Sequence, residues 1–184
     1  VMHHCEDKSL TEDGDMNEGE TSTRLGMLGQ PAAAETIILQ RDIELAKLTG
    51  VHYHAAHIST AGAVAAIRKA KTEGVRITAD TAPPYFMLNE LAVSSYDAAC
   101  KLNPPLRTEA DRQALLEGLQ DGTIDAIASD HVPVNPDMKM QPFTLKIDRP
   151  ILLPSNSCCA LYEHDCLATI ITDRVFTGEG DTLK

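Results

Sequence analysis

Three side chains far apart in the chain, His4, His57 and Asp130, are of the types that bind a divalent transition metal. Neutral imidazole nitrogens and carboxylate oxygens are ordinary ligands for Zn²⁺. A cation held between them would lower the pKa of a water molecule and make hydroxide available near neutral pH. Asp130 would then take a proton from that water and hand it to a leaving nitrogen. Each residue alone has a plainer reading. A histidine at a strand end is commonly structural, and Asp-His after a strand is common in loops. What joins the three is position, because each falls at the end of a different predicted strand.

Those strands follow from the hydrophobic pattern. Val1 to Cys5 reads as a short strand, and the polar stretch from Glu6 to Gln30 reads as a long loop. Pro31 suits the first turn of a helix, which runs from Ala32 to Leu48 with Ile37, Ile38, Leu45 and Ala46 at helical spacing. Gly50 ends it. Val51 to Ile58 is the next strand, and Ser59-Thr60 caps a helix from Ala61 to Thr72 that Gly74 closes. Val75 to Thr81 is a third strand, with Val75, Ile77 and Ala79 on one face, and Pro83-Pro84 breaks it. A mixed segment ends in Asn103-Pro104-Pro105-Leu106-Arg107. Helix Glu109 to Leu119, a turn at Asp121-Gly122 and strand Ile124 to Ser129 follow. Strand–helix alternation of this kind implies βα units and a parallel sheet, with sites at the C-terminal strand ends. Four such strands are half of an eight-stranded barrel. Beyond Pro142 the signals weaken to an apolar stretch at Arg149 to Pro154 and a helix at Ala160 to Ile171.

Composition narrows the function classes. The chain has 184 residues, no Trp and a formal charge of -11, so its core is built from Ala, Leu, Ile and Val, and it lacks the basic stripe that nucleic acid requires. No apolar run has the length of a membrane span, and no signal peptide is evident, so the expected location is cytoplasmic. The five cysteines, Cys5, Cys100, Cys158, Cys159 and Cys166, form no C-x-x-C pair and read as free thiols.

Longer strings carry a family signal. HCED (4–7), MNEGETSTRLGMLGQPAAAE (16–35), RDIELAKLTGVHYHAAHIST (41–60), NPPLR (103–107) and DGTIDAIASDHVP (121–133) resemble the dihydroorotase family, particularly its long bacterial type. They occur in the family's order over roughly residues 1–143. The resemblance implies an α/β fold, strands five to eight of the TIM-like (β/α)8 barrel of metal-dependent amidohydrolases. Residues 144–184 are then a divergent helical or irregular segment. It implies a zinc hydrolase of pyrimidine biosynthesis that interconverts N-carbamoyl-L-aspartate and L-dihydroorotate. By that similarity His4 and His57 are metal ligands on the fifth and sixth strands, and Asp130 is ligand and general acid/base after the eighth. Asn103 contacts the substrate, against its plainer reading as a turn residue before Pro-Pro. Allantoinases and hydantoinases share the architecture, so the ring substrate is less defined than the fold.

The sequence also departs from the family. The H-x-H pair of the first strand, its neighbouring substrate Arg and a bridging acidic ligand have no counterpart here. Thr81-Ala82-Pro83-Pro84 replaces T-P-H-H, and Val134 stands where a substrate-contacting His is frequent. The G-L-E-T stretch is lost after Phe143. With three ligands for two metal positions, the chain alone is expected to be inactive and its zinc partial or absent. A second reading follows, a non-catalytic scaffold for aspartate transcarbamoylase. The open strand edges of half a barrel favour a homodimer or another partner.

Among the remaining histidines, strand alternation sets His52 and His54 opposite His57, facing the helices if His57 points inward. His3 alternates with His4, so one of the two enters the barrel mouth, and the family resemblance selects His4. His131 is expected to orient the site or bond backbone. The acidic run from Glu6 to Glu20 reads as a solvated loop, and nothing in the sequence assigns Lys8, Arg24 or Arg41 to a ligand.

Overall fold

Tyr53-His54-Ala55 alternates bulky, polar and small side chains, and a strand with that pattern must present two different faces. The structure, a computed structural model, describes residues 1–130. In it Tyr53 and Ala55 are buried against helices, while His54 on the opposite face is half-buried. In β5 likewise Ile77 and Ala79 are buried and Thr78 between them is half-buried.

Strands β1 (Met2–His4), β4 (Tyr53–Ala56), β5 (Ile77–Thr81) and β6 (Ala126–Ile127) form one sheet in that order. Every pairing is parallel, with His4 beside Ala56, Ala55 beside Ala79 and Thr81 beside Ile127. Helices α3 (Ala33–Thr49), α4 (Ala61–Thr72) and α6 (Glu109–Asp121) supply the crossovers. They cover one face through Leu39 and Ile43, Val64 and Ile67, and Leu115 and Leu119. Successive helices touch, and Gly118 lets α6 approach α4. A Cβ there would lie 3.1 Å from both Val64 Cγ1 and Ile124 Cδ1.

Helix limits follow the predicted signals closely. Thr60 caps α4, its hydroxyl accepting from the Ala63 amide at 3.1 Å. Gly50 ends α3 in the left-handed region at φ 68°. The buried stripe of α3, however, is Ile38, Leu39, Ile43 and Ala46, and Ile37 and Leu45 are about half exposed. The apolar count at helical spacing had included both faces.

One expectation is corrected. The stretch 6–30 is more than a loop. It holds helices α1 (Lys8–Thr11) and α2 (Glu20–Leu25) and a two-stranded parallel sheet of β2 (Met16–Asn17) and β3 (Gly29–Gln30). Strands of two residues leave no alternation to read, and the stretch is held instead by polar anchors. Glu90 accepts from Asn17 Nδ2 at 2.5 Å and Thr21 Oγ1 at 2.7 Å, and Lys101 pairs with Asp15 at 2.8 Å. Pro83-Pro84 ends β5 and also starts helix α5 (Pro83–Met87), occupying the first turn, where no amide donor is needed. Two short 3-10 turns, Glu90–Ser95 and Ala98–Cys100, make up the mixed segment. The domain limit at 143/144, the segments 149–154 and 160–171, and His131, Val134, Cys158, Cys159 and Cys166 lie outside the described residues.

Gly50→Ala places a Cβ in the left-handed region, which costs about 1–2 kcal/mol. The variant is expected to unfold at a correspondingly lower urea concentration, and an unchanged midpoint would show that the α3 end is not held there.

Candidate metal centre

The C-terminal ends of β1 and β4 bring His4 and His57 together. Their ring centroids are 6.2 Å apart and the rings are tilted by 48°. Asp130, three residues past β6, reaches the same place, with Oδ1 3.9 Å from His57 Nε2. Of the three side chains singled out in the sequence, His4 and Asp130 are thus both neighbours of His57. Asn103 lines a narrow cleft with His4, Glu6, Glu35 and Arg107, so it stands on the His4 side of this group.

The backbone is special where the side chains meet. His57 and Asp130 sit at φ 54° and φ 44°, left-handed values that cost a non-glycine residue energy and cluster at functional sites. At His57 the cause is visible. β4 stops at Ala56, the His57 amide turns to donate to Asp80 Oδ1 at 2.9 Å, and the extended alternation is broken. His54 Nε2 lies 2.7 Å from Asp80 Oδ2 and its Nδ1 2.8 Å from Thr78 Oγ1. His52 Nε2 is 3.3 Å from the same hydroxyl. The expectation that His52 and His54 face the helices is thus corrected: both lie on the face that His57 joins, because alternation does not extend through a left-handed residue. His3 does face the helices, with Nδ1 2.5 Å from Asp42 Oδ2 on α3.

The electrostatics suit a cation. Among the described residues, His4 Nε2 and His57 Nδ1 are the buried side-chain atoms that lack a hydrogen-bond partner. Carboxylates stand near both, Glu6 Oε2 at 3.6 Å from His4 Nε2 and Asp80 Oδ1 at 3.3 Å from His57 Nδ1, the latter out of line for a hydrogen bond. Burial pushes the His4 imidazole below its ordinary pKa, favouring the neutral form that ligates, with Glu6 opposing. The adjacent Asp80 carboxylate raises that of His57. Burial opposes ionisation of Asp80, but hydrogen bonds from His57 and His54 outweigh it and hold the carboxyl at about 2. Orphaned buried imidazole nitrogens beside carboxylates are the donor set that zinc takes.

A second group of potential ligands lies behind β1. His3, Cys5 and Asp42 place donor atoms within 4.8 Å of one another. These donors already satisfy each other. Tyr53 donates to Asp42 Oδ2 at 2.9 Å and lies 3.1 Å from Cys5 Sγ, while Arg41 holds Asp42 Oδ1 at 2.7 Å. Burial pushes the Cys5 thiol up to about 12, so the group fastens β1 to α3 as a neutral thiol and an ion pair.

Comparison with known proteins agrees with this geometry. A family described as Dihydro-orotase-like matches residues 1–63. Dihydroorotase of Desulforapulum autotrophicum is 54% identical over 136 residues, 74% of this chain and 32% of that protein. The Pelotomaculum thermopropionicum enzyme is 55% identical over 133 residues, 72% of this chain and 31% of its own length. This is a dihydroorotase-like sequence. The dihydroorotase-like chain spans about a third of the length of the curated relatives it matches. Its fold is also similar to dihydropyrimidinase from Brevibacillus agri, at TM-score 0.65 and 25% identity over 84% of this chain and 35% of that one. D-hydantoinase from a Bacillus species gives TM-score 0.62 and 27% identity over 73% and 31%. An α/β parallel sheet with helical crossovers is common ground with these enzymes.

Sequence reasoning missed Asp80, which the dihydroorotase-like chain uses to organise His54 and His57. A signal existed: Asp80 alternates with Ala79 near the end of β5, at the strand edge where the other polar candidates fall. Because its pKa is depressed from 3.8 to about 2, ionised Asp80 stabilises the fold above pH 4, and that contribution is lost as pH falls through about 2. Asp80→Asn is expected to be about 2 kcal/mol less stable at neutral pH. It should also lose less stability than the parent between about pH 4 and pH 2. Parallel urea midpoints for the two proteins across that window would contradict this role.

Proposed function

We propose that this chain carries part of the active site of a dihydroorotase, a hydrolase that interconverts N-carbamoyl-L-aspartate and L-dihydroorotate in pyrimidine biosynthesis. The observation that carries the reading is that His4 and Asp130 both neighbour His57, with His4 Nε2 and His57 Nδ1 orphaned, in a sequence about half identical to dihydroorotases. In this reading β1, β4, β5 and β6 are strands five to eight of a TIM-like barrel. His4 and His57 hold Zn²⁺, and Asp130 is both a ligand and the proton carrier. A cation held there would make hydroxide available near neutral pH and would polarise an amide carbonyl.

The chain's own residues do the rest. Asp80 fixes the His57 backbone through the amide and sets its carboxylate 3.3 Å from the ring Nδ1. Asp130 accepts a proton on the hydrolytic path and delivers it to the ring nitrogen as the amide bond breaks. Asn103 offers an amide to the substrate from the His4 side of the cleft. The hydantoinase and allantoinase readings share the fold, but identity to the dihydroorotases is about twice that to the hydantoinase structures and favours the dihydroorotate ring.

Location and partners belong to the same proposal. No helix among the described residues is long and apolar enough to cross a membrane, which accords with a cytoplasmic enzyme. β1 and β6 end the sheet among the described residues. Strands there can pair with a second copy or with another chain, and aspartate transcarbamoylase is the partner carried by the scaffold reading.

The test is zinc content by equilibrium dialysis, together with dihydroorotate hydrolysis by the purified protein. The expected result is well under two zinc ions per chain, all lost in His57→Ala, with turnover low or absent in the chain alone. Zinc retained in full by His57→Ala would overturn the ligand assignment. Bound zinc together with hydantoin turnover exceeding that of dihydroorotate would overturn the substrate.

A further inference from the structure

We propose that Glu35 and Arg107 are positioning residues that lock the loop carrying His57 to the loop carrying Asn103. The inference rests on the reading of His57 as a metal ligand and Asn103 as a substrate contact.

Glu35 stands in the first turn of α3 and is 3% exposed. A buried carboxylate is costly unless its oxygens are filled with donors. Here they are. The Ser59 amide donates to both oxygens at 3.1 Å, the Thr60 amide to Oε1 at 3.0 Å, the Ser59 hydroxyl to Oε2 at 2.6 Å and the Thr60 hydroxyl to Oε1 at 2.7 Å. These donors belong to the turn that begins two residues after His57. The left-handed His57 backbone is thus gripped from both sides, by Asp80 on its own amide and by Glu35 on the turn that follows.

Arg107 completes the connection. It is 5% exposed and lies four residues after Asn103. Its Nε donates to Ser59 Oγ at 3.3 Å, and its Nη1 donates to Asn17 Oδ1 at 2.9 Å and the Gln30 carbonyl at 2.6 Å. One hydroxyl, Ser59 Oγ, therefore accepts from Arg107 while donating to Glu35. Anion and cation are joined through it, each desolvated, so displacing one loop leaves a buried charge unpaired. The arrangement couples the place where the metal is held to the place where the ring is held. Neither Glu35 nor Arg107 touches the reacting atoms in this scheme, and both act through the loops they fix.

The test uses the full chain with Glu35→Gln, which keeps the shape but replaces one acceptor by a donor, and Glu35→Asp as the conservative variant. Two readouts are taken: Co²⁺ affinity from visible absorption, and the ¹⁵N-imidazole NMR signals of metal-free protein. Glu35→Gln is expected to weaken Co²⁺ binding about 10-fold at unchanged stoichiometry, the low end for outer-shell partners. It should also shift or broaden the His57 ring signals while leaving exposed His52 unchanged, with Glu35→Asp intermediate. A Glu35→Gln protein that loses stability yet keeps both its Co²⁺ affinity and its His57 signals would overturn the proposal, because the role would then be structural only. Absence of Co²⁺ binding by the parent chain would refute the metal reading separately. The His57 ring signals would then decide the positioning claim alone. Should Glu35→Gln not fold, Ser59→Ala, which deletes only the bridging hydroxyl, is judged by the same two readouts.

Discussion

A parallel strand that ends one residue early, with its next residue turned left-handed, decides what this sheet edge can present. The His57 amide is given to Asp80, and that hydrogen bond is the constraint on which the rest of the site depends. Without it His57 would continue the alternation of β4 and point away from His54. With it, His54, His57 and Asp80 share one face, and the imidazole of His57 turns toward His4 and Asp130. The energy of an unfavourable backbone angle is offset by charge-assisted hydrogen bonds to a carboxylate held ionised well below neutral pH.

Around that point the fold works as a set of clamps between crossover elements and strand ends. The helices bury Leu, Ile, Val and Ala against one face of the sheet and so fix the strands. Polar side chains from the same crossovers reach over the rim and fix the loops. Asp42 of α3 holds His3 and Tyr53 behind β1, and Glu35 from the same helix holds the turn after β4. Glu90 and Arg107 tie the irregular 88–107 region to the 16–30 stretch. Parallel α/β folds build sites at this edge, and here buried polar bonds from Glu35 and Arg107 gather there.

Much of this was legible in the sequence, and what was missed follows a physical pattern. The order of strands and helices, the Thr60 cap, the Gly50 end and the nearness of His4 and Asp130 to His57 all rest on local rules of alternation, capping and strand-end position. The 6–30 stretch looks like a loop in the sequence because its order comes from distant partners, Glu90 and Lys101, that no local pattern reveals. Period-two alternation places His54 on the wrong face because it treats His57, at φ 54°, as if it were extended. Asp80 and Glu35 went unnoticed for a related reason: a carboxylate inside an apolar strand or helix looks like a surface residue until the donors that fill it are seen. The family strings include Glu35 in PAAAE and its partners Ser59 and Thr60 in HIST, without explaining them, and they do not include Asp80. The structure supplies the explanation, since Glu35 of the first string binds Ser59 and Thr60 of the second.

The central claim is that the rim formed by His4, His57 and Asp130 holds a divalent cation. Anomalous diffraction at the zinc absorption edge, from crystals of protein loaded with zinc, tests it most directly. A peak between the two imidazoles is expected, with nitrogen ligands at about 2.0–2.1 Å. A rim without a peak, or a peak confined to the His3, Cys5 and Asp42 group behind β1, would contradict it.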